Sequence, residues 1–115
     1  MEIQPLDLQN HLTSEGKSPF IEWLDSLRDR KASAIIKARL KRVEQGNLGD
    51  YRSVGDGVFE LRIQFGAGYR IYFARVGATI ILLLCAGDKS SQNRDILTAK
   101  EYWNNYRSQI DETKN

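Results

Sequence analysis

Apolar and polar positions alternate with period two through GVFELRIQFGAGYRIYF, residues 57–73, and the alternation predicts a β-hairpin. Phe59, Leu61, Ile63 and Phe65 share one side with Tyr69, Ile71 and Phe73, while Glu60, Arg62, Gln64, Arg70 and Tyr72 fall on the other. A three-residue turn at Gly66, Ala67 and Gly68 would set Phe65 against Tyr69, Ile63 against Ile71 and Leu61 against Phe73. Arg62 would then lie opposite Tyr72 and Gln64 opposite Arg70.

Elsewhere the period is helical. Ser18 as N-cap, Pro19 at the first helical position and Glu22 in the first turn begin a helix whose stripe is Phe20, Trp23, Leu24 and Leu27. Asp25 to Lys31 is polar and reads as the turn to a second helix, KASAIIKARLKRVEQGN. There Ile36, Leu40 and Val43 stack beside Ala32 and Ile35, and Gly46 is the stop. Its opposite face, Lys37, Arg39, Lys41 and Arg42, suits either solvent or a partner.

Ile3, Leu6 and Leu8 around Pro5 predict a short edge strand within residues 2–8. LGDYRSVGDG reads as a loop. Beyond Gly77 and Ala78, TIILLLCAG is apolar on both faces, the pattern of a central strand. A last helix is expected from about Asn93 with Ile96, Ala99, Trp103 and Tyr106 on one side, followed by a frayed tail at 111–115. The order β-α-α-β-β-β-α defines an α+β fold: one domain over 1–110, with two N-terminal helices packed on a small, mainly antiparallel sheet. Helices are expected to cover the Leu61, Ile63 and Phe73 face and leave the other open.

A length of 115 residues with 41% hydrophobic content suits one modest core, and a net charge of +2 does not announce nucleic acid. The distribution is more informative: residues 28–75 carry 11 Lys or Arg against 5 acids. Cys85, the single cysteine, sits in an apolar run and reads as core, and His11 is the single histidine. A His/Cys zinc site and a Ser-His-Asp or Cys-His machine are therefore disfavoured. The amino terminus lacks signal-peptide character and Thr79 to Ala86 is too short to span a bilayer, so a soluble, cytoplasmic protein is expected.

On the open hairpin face, Arg62 and Arg70 could grip one phosphate from two sides, since each guanidinium offers a planar fork of donors. Tyr72 could stack a base, and Lys89 falls near the same sheet end as Arg70. The alternative is a salt-bridged surface on which Glu60 neutralises Arg62.

The E-L-R strand (60–62), the G-Y-R start of the next strand (68–70) and the series Lys89, Gln92, Asp95, Ile96 resemble the RelE/ParE superfamily of bacterial toxins. They are most similar to its HigB-like branch of addiction-module killer, phage-derived Gp49-like proteins, over about residues 2–107. The resemblance implies a RelE-like fold and the toxin of a type II toxin-antitoxin system. Its activity would be ribosome-dependent mRNA cleavage in the A site, by 2′-hydroxyl attack giving a 2′,3′-cyclic phosphate, with no metal or cofactor. The implied partners are a HigA-like helix-turn-helix antitoxin in a hetero-oligomer, the ribosome and mRNA.

Arg70 is then assigned to charge stabilisation, Arg62 to phosphate orientation, and Lys89 to phosphate binding or leaving-oxygen protonation. Arg39, Arg42 and Gln92 join them as RNA contacts. Gln92 and Asp95 also suit capping and anchoring of the last helix. Histidines that serve some members have no counterpart here, which leaves Glu60, Tyr72 and Tyr51 as candidates for the proton acceptor. A ParE-like gyrase inhibitor and a non-catalytic binding module are the competing readings.

Overall fold

The structure is a computed structural model that describes residues 4–113, so the expected Ile3 contact lies outside the described residues. The order is β1 (Asp7–Asn10), α1 (Pro19–Ser26), α2 (Arg30–Glu44), β2 (Tyr51–Gly55), β3 (Val58–Ile63), β4 (Tyr69–Val76), β5 (Ile80–Asp88) and α3 (Gln92–Thr113). The strands form one mixed sheet in the order β1-β5-β4-β3-β2. An edge strand is present as expected, but it lies at Asp7–Asn10 rather than within 2–8, and it runs parallel to β5. The doubly apolar β5 lies inside the sheet, between β1 and β4.

The helix starts follow the expected chemistry. Ser18 Oγ accepts from the Ile21 amide at 3.1 Å ahead of Pro19. Asp29 caps α2 by accepting from the Lys31 and Ala32 amides. Gly46, at φ 93°, follows the end of α2 and donates its amide to the Val43 carbonyl. Phe20, Leu24, Ile36, Leu40 and Val43 pack on Leu61, Ile63, Ile71 and Phe73, which builds the core on the expected face.

Four expectations are corrected. The segment read as a loop contains β2, paired with β3 through Tyr51 to Leu61 and Arg52 to Glu60. Gly55, Asp56 and Gly57, all at positive φ, form the tight end of a β2-β3 hairpin. Residues 64–68 all connect β3 to β4, so the register moves by two: Ile63 pairs with Tyr69, Leu61 with Ile71, Arg62 with Arg70 and Glu60 with Tyr72. A two-residue shift keeps every side chain on its face, because strand side chains alternate with period two.

The second sheet face is not open. α3 lies across β5, β4 and β3, and Ile96, Ala99, Trp103 and Tyr106 pack with Val58, Tyr72, Ala74, Leu82 and Leu84. A bulge in β5 permits this. Between the Tyr72–Cys85 and Phe73–Leu83 pairs Leu84 is an extra residue, so Leu84 and Cys85 both enter the α3 side while Leu83 and Ala86 enter the other. α3 also runs on to Thr113, through part of the expected tail, with 114 and 115 outside the described residues.

Candidate functional site

The two-residue shift and the cover of α3 turn the hairpin's polar face into a buried hub. Glu60 and Tyr72, paired across β3 and β4, are both 0% exposed. An isolated buried carboxylate would cost several kcal/mol, roughly, unless its oxygens were filled by donors. Glu60 Oε1 accepts from Arg52 Nε at 2.9 Å, and Oε2 accepts from Tyr72 Oη at 3.0 Å and Gln92 Nε2 at 2.9 Å. Arg70 Nε stands 3.7 Å from Oε2.

Burial pushes the Glu60 carboxyl up, but hydrogen bonds from Gln92, Arg52 and Tyr72 and the charge of Arg52 outweigh it and hold the group below its ordinary value. Burial first, and then the Glu60 charge, push the Tyr72 phenol far above its ordinary value. Tyr72 is therefore neither a base-stacking platform nor a proton acceptor, because its ring lies under α3 and its hydroxyl donates to Glu60. Glu60 is likewise sealed away from any substrate. Tyr51 is exposed, but its ring packs against Phe59 and Phe73 on the opposite sheet face from Arg70.

The cations divide. Arg70 keeps 14% of its side chain exposed and donates from Nη1 to the Gly68 carbonyl at 2.9 Å, fixed between the turn and the hub. Lys89, exposed, follows β5 at the entrance to α3, and its amide reaches the Ala67 carbonyl at 3.4 Å. The β3-β4 turn therefore brings Arg70 and Lys89 to one shallow cleft of about 410 Å³ with Gln64 and Phe65. No carboxylate lines that cleft.

Arg62 is neutralised by Asp50, at 3.2 Å, and not by Glu60. Arg42 is exposed as expected, but Arg39 is only 7% exposed: its Nη2 donates to the Asp50 carbonyl at 3.1 Å, beneath Gly49. Arg39 thus departs from the solvated face drawn for it, since the loop after α2 folds back over that side.

Gln92 and Asp95 anchor α3. Gln92 ties its first turn to the hub, and Asp95 accepts from Ser91 Oγ directly over Gly87. The sequence reading missed Arg52, Asp50 and Gly87. Both Arg52 and Asp50 fall in a Gly- and Asp-rich segment that reads as loop, and β2 pairing is what brings Arg52 to Glu60. Cys85 is core, its thiol pushed up to about 12 by burial and by Asp95, so it carries no thiolate. His11, in the loop after β1, is buried against Tyr102. Trp103 and Tyr106 stack on each other in the α3 core. Among the described residues no group of three or more His, Cys, Asp or Glu could hold a metal ion, and no helix is long and apolar enough to cross a membrane.

The fold is α+β, a mixed five-stranded sheet between helical layers with basic residues at one end of its central hairpin. Residues 22–104 match the family model described as Phage derived protein Gp49-like (DUF891), and the chain belongs to that family, which is part of the RelE/ParE-like toxin superfamily. It is 51% identical over 81 residues to a Haemophilus influenzae protein described as uncharacterized, a match covering 70% of this chain and 82% of the relative.

Proposed function

We propose that the chain is the HigB-like toxin of a type II toxin-antitoxin pair and cleaves mRNA on the ribosome. The observation that carries this reading is the Arg70-Lys89 cleft, where two cations converge with no carboxylate in the lining, while Glu60 holds Arg70 from beneath. A surface meant only for protein contact has no need of a guanidinium braced on a buried carboxylate.

In this reading Arg70 neutralises charge building on the phosphorane as the 2′-oxygen attacks phosphorus and the bond to the 5′-oxygen breaks. Lys89 binds the same phosphate or protonates the departing 5′-oxygen. Arg62 orients the chain from its place opposite Arg70. With Glu60 and Tyr72 sealed and Tyr51 on the other face, the 2′-hydroxyl proton passes to solvent or to a ribosomal group. Gln92 acts through Glu60 and touches no substrate. The partners are a HigA-like antitoxin that silences the toxin, the ribosome and mRNA.

The test is purified protein with ribosomes programmed with a defined messenger and 5′-end mapping, beside Arg70→Ala and naked RNA. Ribosome-dependent cuts at the A-site codon that fall at least a hundredfold in Arg70→Ala are expected, at roughly 3 kcal/mol of lost transition-state stabilisation. No cuts by folded, antitoxin-free protein would move the assignment to a gyrase-binding or non-catalytic role.

A further inference from the structure

A second basic cleft, of about 520 Å³, opens between α2 and the start of β2, with Arg39, Arg42 and Arg62 against a single carboxylate, Asp50. Asp50 serves two of the three. Its carboxylate takes Arg62 Nη2 at 3.2 Å and its backbone carbonyl takes Arg39 Nη2 at 3.1 Å. Even so, Arg39 Nη1 and Arg62 Nε are buried N–H donors with no acceptor. Unmet buried donors are costly, typically about 1–3 kcal/mol each and more when charged, so the cleft is built for more anionic oxygen than Asp50 supplies. The Arg39 side chain is also pushed below its ordinary value, by burial and by the charge of Arg42, with Asp50 only partly offsetting them. Gly49, at φ 65°, lies so close over the Arg39 guanidinium that a Cβ there would fall 2.6 Å from Nη2.

We propose that this cleft is a second phosphate subsite for substrate RNA, which holds a neighbouring phosphate while Arg70 and Lys89 hold the scissile one. Asp50 is its built-in competitor. The assignment rests on the reading of the chain as a ribonuclease, and it extends that reading along the strand. Continuity favours RNA over an acidic protein segment: Gln64 and Phe65 line both clefts, so the arginines of α2 and β3 join Arg70 and Lys89 in one cationic band around the β3-β4 turn. Phe65 stands at the junction with Lys31 Nζ 5.7 Å from its ring centroid, an aromatic between phosphate-binding forks. Planar guanidinium forks match phosphate oxygens pairwise.

The experiment is fluorescence anisotropy without ribosomes, using a labelled single-stranded RNA of about eight nucleotides with every 2′-hydroxyl methylated, so that it binds and cannot be cut. Arg42→Ala is expected to weaken binding about fivefold and to flatten the dependence of log K on log salt by about 0.7, the value for one lost single-strand phosphate contact. Asp50→Asn keeps the backbone carbonyl that Arg39 needs, so the fold is preserved, and it is expected to tighten binding severalfold by removing the competing anion.

Indifference of RNA binding to both variants, or no binding by the wild type, overturns the subsite. So does a gain by Asp50→Asn for an oligoglutamate peptide with none for RNA, which would assign the cleft to an acidic protein partner. The cleavage assay with Arg70→Ala reads the other site, so the ribonuclease reading and the subsite can fail separately.

Discussion

Glu60 shows how one residue can be essential to a cationic site without meeting its substrate. Its carboxylate is fully withdrawn from water and filled by Arg52, Tyr72 and Gln92, with Arg70 adjacent. Glu60→Gln removes the charge and leaves the mostly buried Arg70 and the half-exposed Arg52 without their counter-ion. A stability loss of about 2–3 kcal/mol is expected, below the full buried-pair value because Arg52 is half-exposed. The pH dependence has a definite sign. The folded-state value of Glu60 lies below the ordinary 4.5, so its contribution is complete above that value and is lost as pH falls through the folded value. Urea midpoints measured between pH 7 and pH 3 should therefore fall more steeply for wild type than for Glu60→Gln. Parallel curves for the two proteins would show that Glu60 is not held ionised by the fold.

At the scale of elements, the first turn of α3 decides where the site's supports sit. Gly87 in β5 lies opposite Arg70, and a Cβ there would fall 1.9 Å from Asp95 Oδ2 and 2.7 Å from Ser91 Oγ. Gly87→Ala must displace the Asp95 carboxylate and break its bond with Ser91 Oγ, which loosens the first turn of α3 and with it the Gln92 tie to Glu60. A loss of about 1–3 kcal/mol, as in other overpacked sites, is expected from thermal or urea unfolding. In the cleavage assay the variant should lose activity through a less constrained Arg70, although Gly87 itself meets no RNA.

The three helices, the β3-β4-β5 run, an edge strand near the amino terminus and the first core were legible in the sequence, because caps and periodicity act locally, whereas β2 read as a loop. The nearness of Lys89 to Arg70 was legible, but the sharing of one cleft by Arg62 and Arg70 was not, since Arg62 turns to Asp50 and lines the second cleft. The register of β3 on β4 was not, since GAG reads as a three-residue turn while the fold uses Gln64 and Phe65 as well. Nor was the covering of Glu60 and Tyr72. Alternation assigns residues to a face, but it does not say which helix lands on that face, and the α3 stripe would have fitted a helix packed anywhere on the sheet.

For the whole molecule, a net charge of +2 gives little long-range attraction, so the RNA affinity proposed for the clefts would come from local contacts. Two further cations are paired off elsewhere, Arg52 with Glu60 and Lys100 with Asp56 at 3.6 Å. Arg39, Arg42, Arg62, Arg70 and Lys89 line the band formed by the two clefts, four of them with side chains reaching solvent and Arg39 buried, and among the described residues only Arg62 of these pairs through its side chain with an exposed carboxylate. Three to four phosphate contacts, at about 0.7 each, predict a log K against log salt slope between about −2 and −3 for the uncleavable RNA. Arg70→Ala and Arg42→Ala should each remove one contact, and the double variant two, because the residues lie in different clefts. A slope near zero would mean that these cations do not meet phosphate in the free protein. A slope much steeper than −3 would require basic residues outside the band, such as Lys37 or Lys41 on the exposed side of α2, to join the track.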